Sequence, residues 1–309
     1  MRAKISVIGS GNVGKEIALW CAVKELGNIV LWNRTPETAV GNALDIMETG
    51  PIMGFDANIV GTGYLKETKK SDVIVFTAGL PRKAGQTREQ LVGDNVKVVY
   101  PLVRKLVRLS PKSIIIIVTN PLDAMAYIAY KASRFPSNRV VGMAGILDSS
   151  RFSAFVAKEL KVSIKEIESL TLGSHGEDMV PLPRFSTING VPVNSLLPAK
   201  KIEKIIEHTK KAGEEIVRLL GTNASISTGA VATKMVEAIL HDEKELLPCS
   251  AYLNGQYGIH DLFIGVPIIL GASGVEKIVE LKLNNSELKA LHNAAKSIKR
   301  ITSVARKLI

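Results

Sequence analysis

A handful of polar side chains stand where an apolar core would not place them, at strand ends or in glycine-broken loops. They are Arg82 and Arg88 in VFTAGLPRKAGQTREQL, Asn120 in VTNP, Asp148 and Arg151 in GILDSSRF, and His175 in LGSHGEDMVPL. These residue types suit hydride transfer coupled to proton transfer. Oxidising a secondary alcohol needs a base that titrates near neutrality, which histidine supplies. A carboxylate against the far ring nitrogen fixes the tautomer and stabilises the imidazolium. One arginine can polarise a carbonyl oxygen as charge develops on it, and another can hold a substrate carboxylate through its planar fork. Asp148 and Arg151 are three residues apart at a helix start, so both can face the same way.

Each residue also has a plainer reading. Asp148 could be no more than a helix N-cap, Arg151 a surface ion-pair partner, His175 a loop histidine without a role, and Asn120 the end of a strand before Pro121. The Arg82/Arg88 segment could be a solvated basic loop. Taken singly, the plainer readings prevail. Gathered at the predicted crevice side, the clusters together favour a site.

The elements that must position them alternate in type. Lys4–Ile8 is a short apolar strand running into Gly9-Ser10-Gly11-Asn12-Val13-Gly14, and a helix follows with Val13, Ile17, Trp20 and Cys21 at helical spacing. A second strand covers 28–33, and Thr35-Pro36-Glu37 reads as a helix start with a threonine cap. Strand–glycine loop–helix–strand is the context in which glycines let backbone approach a pyrophosphate facing a helix N-terminus. Further strands are expected at 56–63, 71–79, 113–121 and 139–145. Val96, Val99, Val103 and Leu106 form a helical stripe interrupted by Pro101, and 122–132 is another helix. This alternation predicts a Rossmann-type doubly wound parallel sheet over residues 1–143, a dinucleotide-binding domain. In such sheets the ligand crevice lies beyond the carboxyl ends of the strands.

Residues 144–309 change character and predict a C-terminal α+β substrate domain. Its expected parts are a helix at 149–161, a hairpin over 182–193 turning at Asn189-Gly190, and a helix at 200–220 with Ile202, Ile205, Ile206, Ile216, Val217 and Leu220 inward. Antiparallel strands about Asn254-Gly255 and a closing helix bearing Leu288, Leu291, Ala295 and Ile298 complete it.

Bulk composition narrows the function classes. In 309 residues, 46% are hydrophobic and 22% charged, an ordinary globular balance. The apolar runs 114–118 and 262–272 are too short to span a bilayer, and cleavage of an export signal would remove the first strand, so a soluble cytoplasmic protein is expected. Cys21 and Cys249 cannot form a disulfide framework and read as small core hydrophobes. The five histidines show no metal-ligand spacing, so no metal is expected. Net charge is +11, yet the lysines are dispersed and aromatics make up only 5%, which favours anionic small molecules over nucleic acid.

The motifs GSGNVG, TAGLPRKAGQTREQL, VTNPLD, GILDSSRF and LGSHGEDMVPL, in this order from end to end, resemble the lactate/malate dehydrogenase family, and within it malate enzymes of the lactate-dehydrogenase-like type. The resemblance implies His175 as proton acceptor, Asp148 orienting it, Arg88 polarising the carbonyl, and Arg151 binding the adjacent carboxylate. Asn120 would touch substrate and cofactor, and Asn95 and Val118 match further cofactor positions beside Gly9 through Gly14. At position 82 lactate enzymes carry glutamine and malate enzymes arginine, so Arg82 implies a dicarboxylate substrate. A lactate or other 2-hydroxyacid dehydrogenase is the alternative, and a non-catalytic binding protein the alternative from another class. Homodimers or homotetramers are also implied.

Two departures stand out. Ala84 replaces a proline common in the Arg82 loop. Asn33 occupies the place where an acidic residue accepts hydrogen bonds from the adenosine ribose, and Arg34 follows it. An amide carries no charge to repel a 2′-phosphate, so NADP as well as NAD is expected to be accepted; the plainer outcome is that Asn33 only weakens NAD binding while Arg34 faces water.

Overall fold

The computed structural model describes residues 2–81, 87–176 and 178–309, and of Arg88 only the backbone. The chain runs β1 (Lys4–Ile8), α1 (Asn12–Val23), β2 (Asn28–Trp32), α2 (Pro36–Glu48), α3 (Gly50–Met53), β3 (Ile59–Thr62), β4 (Val73–Phe76), α4 (Arg88–Leu109), β5 (Ile114–Ile117), α5 (Leu122–Ser133), β6 (Val140–Gly142) and α6 (Gly145–Leu160). There follow β7 (Ile167–Glu168), β8 (Thr171–Gly173), β9 (Met179–Pro181), β10 (Thr187–Ile188), β11 (Val191–Pro192), α7 (Val193–Leu196), α8 (Ala199–Leu220), α9 (Ile226–Leu240), β12 (Glu245–Asn254), β13 (His260–Gly271), β14 (Gly274–Ile278) and α10 (Asn285–Arg306).

The strands β3-β2-β1-β4-β5-β6 lie side by side and parallel, the doubly wound order with its switch between β1 and β4. Parallel strands covered on both faces must be apolar throughout, and β4 (VIVF) and β5 (IIII) are buried at every position. Successive residues of a strand serve opposite layers. Val73 and Val75 join the core under α1 and α9, whereas Ile74 and Phe76 join the core under α4, α5 and α10. Cys21 and Cys249 are fully buried in the first of these cores, as expected of small hydrophobes, and burial raises both thiols, Cys21 to about 12.

The second half adds strands to the same sheet. β12 pairs antiparallel with β6 through Ser250 and Gly142, and β13, β8 and β9 continue outward, with β14 on the flank of β13. Asn189 and Gly190, both at positive φ, turn β10 into β11 as expected, but the hairpin belongs to a separate three-stranded sheet with β7. The stripe of Val96, Val99, Val103 and Leu106 on α4 is buried, with Pro101 inside the helix. Among the described residues no helix is long and apolar enough to cross a membrane.

Several expectations need correction. The helix predicted from 149 starts at Gly145 with Ala144 as N-cap, so Asp148 lies within its first turn and is not a cap. Thr35 makes no side-chain cap; its backbone N–H is instead accepted by Asn33 Oδ1 at 3.0 Å. On α8, Ile202 and Ile205 are buried, but Val217 and Leu220 are exposed, because the core that covers the first turns of this helix does not reach its last, where Val217 lines a cavity instead.

Gly14 is required by sterics. A Cβ there would lie 1.8 Å from Gly9 O and 3.2 Å from Thr77 Oγ1, where backbone cannot yield. Gly14→Ala is therefore expected to destabilise the fold by about 1–3 kcal/mol, the cost of overpacking, and to weaken dinucleotide binding at least tenfold, about 1.4 kcal/mol or more. Urea unfolding and fluorescence titration with reduced cofactor read the two effects.

Candidate active site

Three segments distant in sequence converge at the carboxyl ends of the parallel strands. The first is the glycine turn between β1 and α1. Gly9 takes φ +110°, and a Cβ on it would strike Ala78 N and Thr77 Oγ1 at 2.8 Å, so the turn lies against the end of β4. Gly11 is the N-cap of α1 and makes no side-chain cap, and among the described residues nothing lies within 4 Å of where its Cβ would be. The helix thus presents uncapped N–H groups with no side chain over them, which fits a dinucleotide pyrophosphate. Ser10 is buried; its Oγ accepts from Asn33 Nδ2 at 2.8 Å and its carbonyl from Asn42 Nδ2 at 2.7 Å. Both ends of the Asn33 amide are therefore occupied within the protein. Arg34 beside it is exposed, and Asn12 is exposed on the first turn of α1.

The second segment is the region after β4 and β5. Asn95, only 1% exposed on α4, accepts from Leu80 N at 2.7 Å and donates to Leu80 O at 3.2 Å and to Asn120 O at 2.6 Å. Its amide is spent on backbone and braces the two loops that follow β4 and β5 against each other. Val118 and Asn120 line the cavity that opens there. Arg82 and Ala84 lie outside the described residues, as does the Arg88 side chain, so geometry neither joins nor separates them from the site.

The third segment carries the titratable cluster. Asp148, 1% exposed in the first turn of α6, accepts from His175 Nδ1 at 3.0 Å on one oxygen and from Arg151 Nη1 at 3.3 Å on the other. His175 lies in the loop between β8 and β9, where Gly173 (φ +85°) and Gly176 (φ +120°) supply the left-handed turns that fold the loop back on itself. Burial alone would push the imidazole's proton affinity down. The charge and hydrogen bond of Asp148, helped by Asp123 and opposed by Arg151, outweigh burial and raise the pKa above its ordinary value. Because Nδ1 faces Asp148, Nε2 is the nitrogen left for the cavity. Among the described residues Arg151 Nε is buried without a partner, and Gly213 of α8 lies over the guanidinium, a Cβ there lying 3.5 Å from Nη2. An unpaired buried guanidinium N–H is costly and marks a place for an anionic ligand.

His175, Arg151, Asn120, Val118 and Val13 line one cavity of about 880 Å³, closed on the far side by α8 and α9. It runs from Val13, on the first turn of α1, to the imidazole, while Gly9 to Asn12, Gly14, Asn33 and Arg34 do not line it. Asp123, Ser174 and Thr228 line it too, and sequence reasoning assigned none of them. Asp123 in VTNPLD could have been noticed as the one acid in an otherwise apolar helix. Elsewhere, Glu237, His241 and Glu243 bring ligand atoms within 4.8 Å of one another, which spacing alone did not suggest. Their carboxylates already pair with Lys24 at 2.7 Å and Lys234 at 3.3 Å.

A family model described as lactate/malate dehydrogenase, NAD binding domain, matches residues 3–142, and one described as lactate/malate dehydrogenase, alpha/beta C-terminal domain, matches 146–308. A malate dehydrogenase of Thermomicrobium roseum is 47% identical over 308 residues, covering 100% of both chains. The solved malate dehydrogenase of Salinibacter ruber superposes with a TM-score of 0.95 at 45% identity, over 99% of this chain and 98% of that one. The malate dehydrogenase of Plasmodium falciparum in complex with NADH gives a TM-score of 0.93 at 34% identity over 99% and 100%. With its two halves matched in order and its whole length covered, the chain belongs to the lactate/malate dehydrogenase family.

Proposed function

We propose that this chain is a malate dehydrogenase, interconverting (S)-malate and oxaloacetate with a nicotinamide dinucleotide, and that His175 is its proton acceptor. The observation that carries the catalytic part is the His175–Asp148–Arg151 cluster, its carboxylate buried, on the wall of a cavity that also reaches Val13. In this reading residues 1–143 bind the dinucleotide and 144–309 supply the catalytic groups. The bound cofactor supplies the hydride acceptor. Gly9, Ser10, Gly11, Asn12, Val13 and Gly14 would hold its pyrophosphate, with Asn33 and Arg34 at the adenosine ribose and Val118 and Asn120 nearer the reacting end.

The remaining chemistry belongs to side chains. Asp148 holds the Nδ1–H of His175, so Nε2 presents a lone pair to the malate hydroxyl and takes its proton as hydride leaves the same carbon. The imidazolium that forms is stabilised by the buried carboxylate. Arg151 binds the carboxylate next to the reacting carbon through the N–H groups it does not share with Asp148. Arg88 stabilises charge developing on the oxygen, and Arg82 pairs with the distal carboxylate; both roles rest on the sequence motif. Burying that second carboxylate unpaired would cost several kcal/mol, as would burying Arg82 against a methyl group, so the arginine selects diacids over lactate. Exposed Val40, Leu44, Met47, Ile52 and Met53 on α2 and α3 supply apolar surface suited to a homodimer or homotetramer.

Purified protein should oxidise reduced nicotinamide with oxaloacetate and do so far more slowly with pyruvate; faster turnover of pyruvate would defeat the assignment. Arg82→Gln should lose malate activity at least a hundredfold, about 2.7 kcal/mol of selective stabilisation, with a much smaller loss of any lactate activity. Equal losses on both substrates would remove Arg82 as the selector.

Asp148→Asn gives a signed pH outcome. His175 must be neutral to accept the proton, so the acid limb of malate oxidation sits at its raised pKa. Removing the Asp148 charge leaves burial and Arg151 dominant, and the limb should move to lower pH. At optimum pH, kcat should fall on the order of a thousandfold, since an amide misorients the ring.

We further infer that NADPH is accepted alongside NADH. Support comes from the missing ribose carboxylate, the internally satisfied Asn33 amide and exposed Arg34. The kcat/KM values for the two cofactors should lie within a hundredfold, and a larger preference for NADH would refute it.

A further inference from the structure

Asp123 is a buried acid that the proposed mechanism does not use. Ten of the twelve residues of α5 are buried, and Asp123 is the charged one among them, 4% exposed. A lone carboxylate in such surroundings requires partners. It lies in the first turn of the helix, where free N–H groups favour negative charge. Its Oδ1 accepts from Ser250 Oγ at 2.7 Å and its Oδ2 from Ser174 Oγ at 3.2 Å.

Both partners occupy structural junctions. Ser250 is the residue of β12 that pairs with Gly142 of β6, at the seam between the parallel and antiparallel parts of the sheet. Gly142 makes room for it, since a Cβ there would sit 2.9 Å from Ser250 Cβ. Ser174 immediately precedes His175. The loop carrying both is bounded by glycines at positive φ, Gly173 and Gly176. Two neighbouring residues of this loop are thus pinned by two carboxylates from two helices, His175 by Asp148 of α6 and Ser174 by Asp123 of α5. Asp123 also lies three residues after Asn120, so one side chain links the two cavity walls that bear Asn120 and His175.

We propose that Asp123 is a positioning residue for His175: through Ser174 it fixes the depth of the imidazole in the cavity. This rests on the reading of His175 as proton acceptor. Burial raises the Asp123 carboxyl to about 6, against the pull of Ser250, Ser174 and His175 and with a push from Asp148. Among the described residues, the charged groups acting on His175 are Asp148 and Arg151 from α6 and Asp123 from α5, while Asp178 of its own loop and Lys210, Glu214 and Arg218 of α8 line the same cavity. Of these, Asp148 and Asp123 raise its proton affinity and Arg151 lowers it.

The test follows the imidazole itself. His175 is one of five histidines, and its ring signals in a labelled protein can be assigned by their absence in His175→Gln. In Asp123→Asn the His175 titration midpoint should fall by about half a pH unit or more, the effect of one nearby charge in a partly screened site. The acid limb of malate oxidation should move with it. Ser174→Ala leaves the carboxylate bonded to Ser250 and removes only the tie to the loop; its kcat should fall about five- to twentyfold, roughly 1–2 kcal/mol, with the KM for cofactor unchanged. If Asp123 only stabilised the fold, Asp123→Asn would lower the melting temperature and leave the titration and the limb in place, and that result overturns the proposal. Should Asp123→Asn fail to fold, Ser174→Ala decides, and a variant matching the parent in kcat overturns it equally. A parent protein inactive on oxaloacetate would defeat the functional reading, whereas the ring titration, which needs no turnover, would still settle the influence of Asp123 on His175.

Discussion

The site depends on one carboxylate being shared. Asp148 is almost wholly buried, and its two oxygens are divided between the His175 ring and the Arg151 guanidinium. Burying a single charge would be prohibitive, and burying a pair often only breaks even. Three groups change the balance, because each oxygen has a donor and the arginine keeps N–H groups in reserve for a ligand. The same residue thereby settles the histidine tautomer, raises its proton affinity and sets the direction of the Arg151 guanidinium. Removing Asp148 would leave both partners buried without their acceptor, so its loss would be felt at every function of the cavity at once.

The fold exists, in this sense, to bring α6 and the β8–β9 loop to the ends of the parallel strands. The antiparallel strands of the second half extend the first half's sheet, and β12 meets β6 where Ser250 faces Gly142. The groups proposed as catalytic therefore sit on the same sheet as the glycine turn. Close approach is built into that layer by glycine. Gly9 and Gly14 allow the cradle to touch the end of β4, and Gly213 leaves the face of Arg151 open to the cavity.

How much of this the sequence disclosed depends on the range of each cause. The cradle was legible because its requirement is local: three glycines between an apolar strand and a helix serve few purposes besides close backbone approach. The parallel sheet was legible from strands such as IIII and VIVF, apolar on both faces. Asp148 and Arg151 were visible as a pair at helical spacing, although pattern alone sets the helix start too late and leaves an N-cap reading of Asp148 open. The exposure of Val217 and Leu220 was not legible, since periodicity reports a stripe and says nothing about where the covering core ends. Nor was the spending of Asn95 on the Leu80 backbone, a bond between segments fifteen residues apart that no motif encodes.

Asp123 shows the same limit at its most severe. Its partners are 51 and 127 residues away, so neither bond leaves a trace in local pattern. What the sequence does carry is an inconsistency, an acid within LDAMAYIAY, where each neighbouring position is apolar or small. Natural sequences keep local and global preferences in agreement except where function intervenes. A charge set in an apolar helix face and satisfied only by long-range hydroxyls is such an exception. Its nearest chemistry is the imidazole one residue beyond Ser174. Local patterns thus specify the scaffold, and the residues that contradict those patterns are the first candidates for the site.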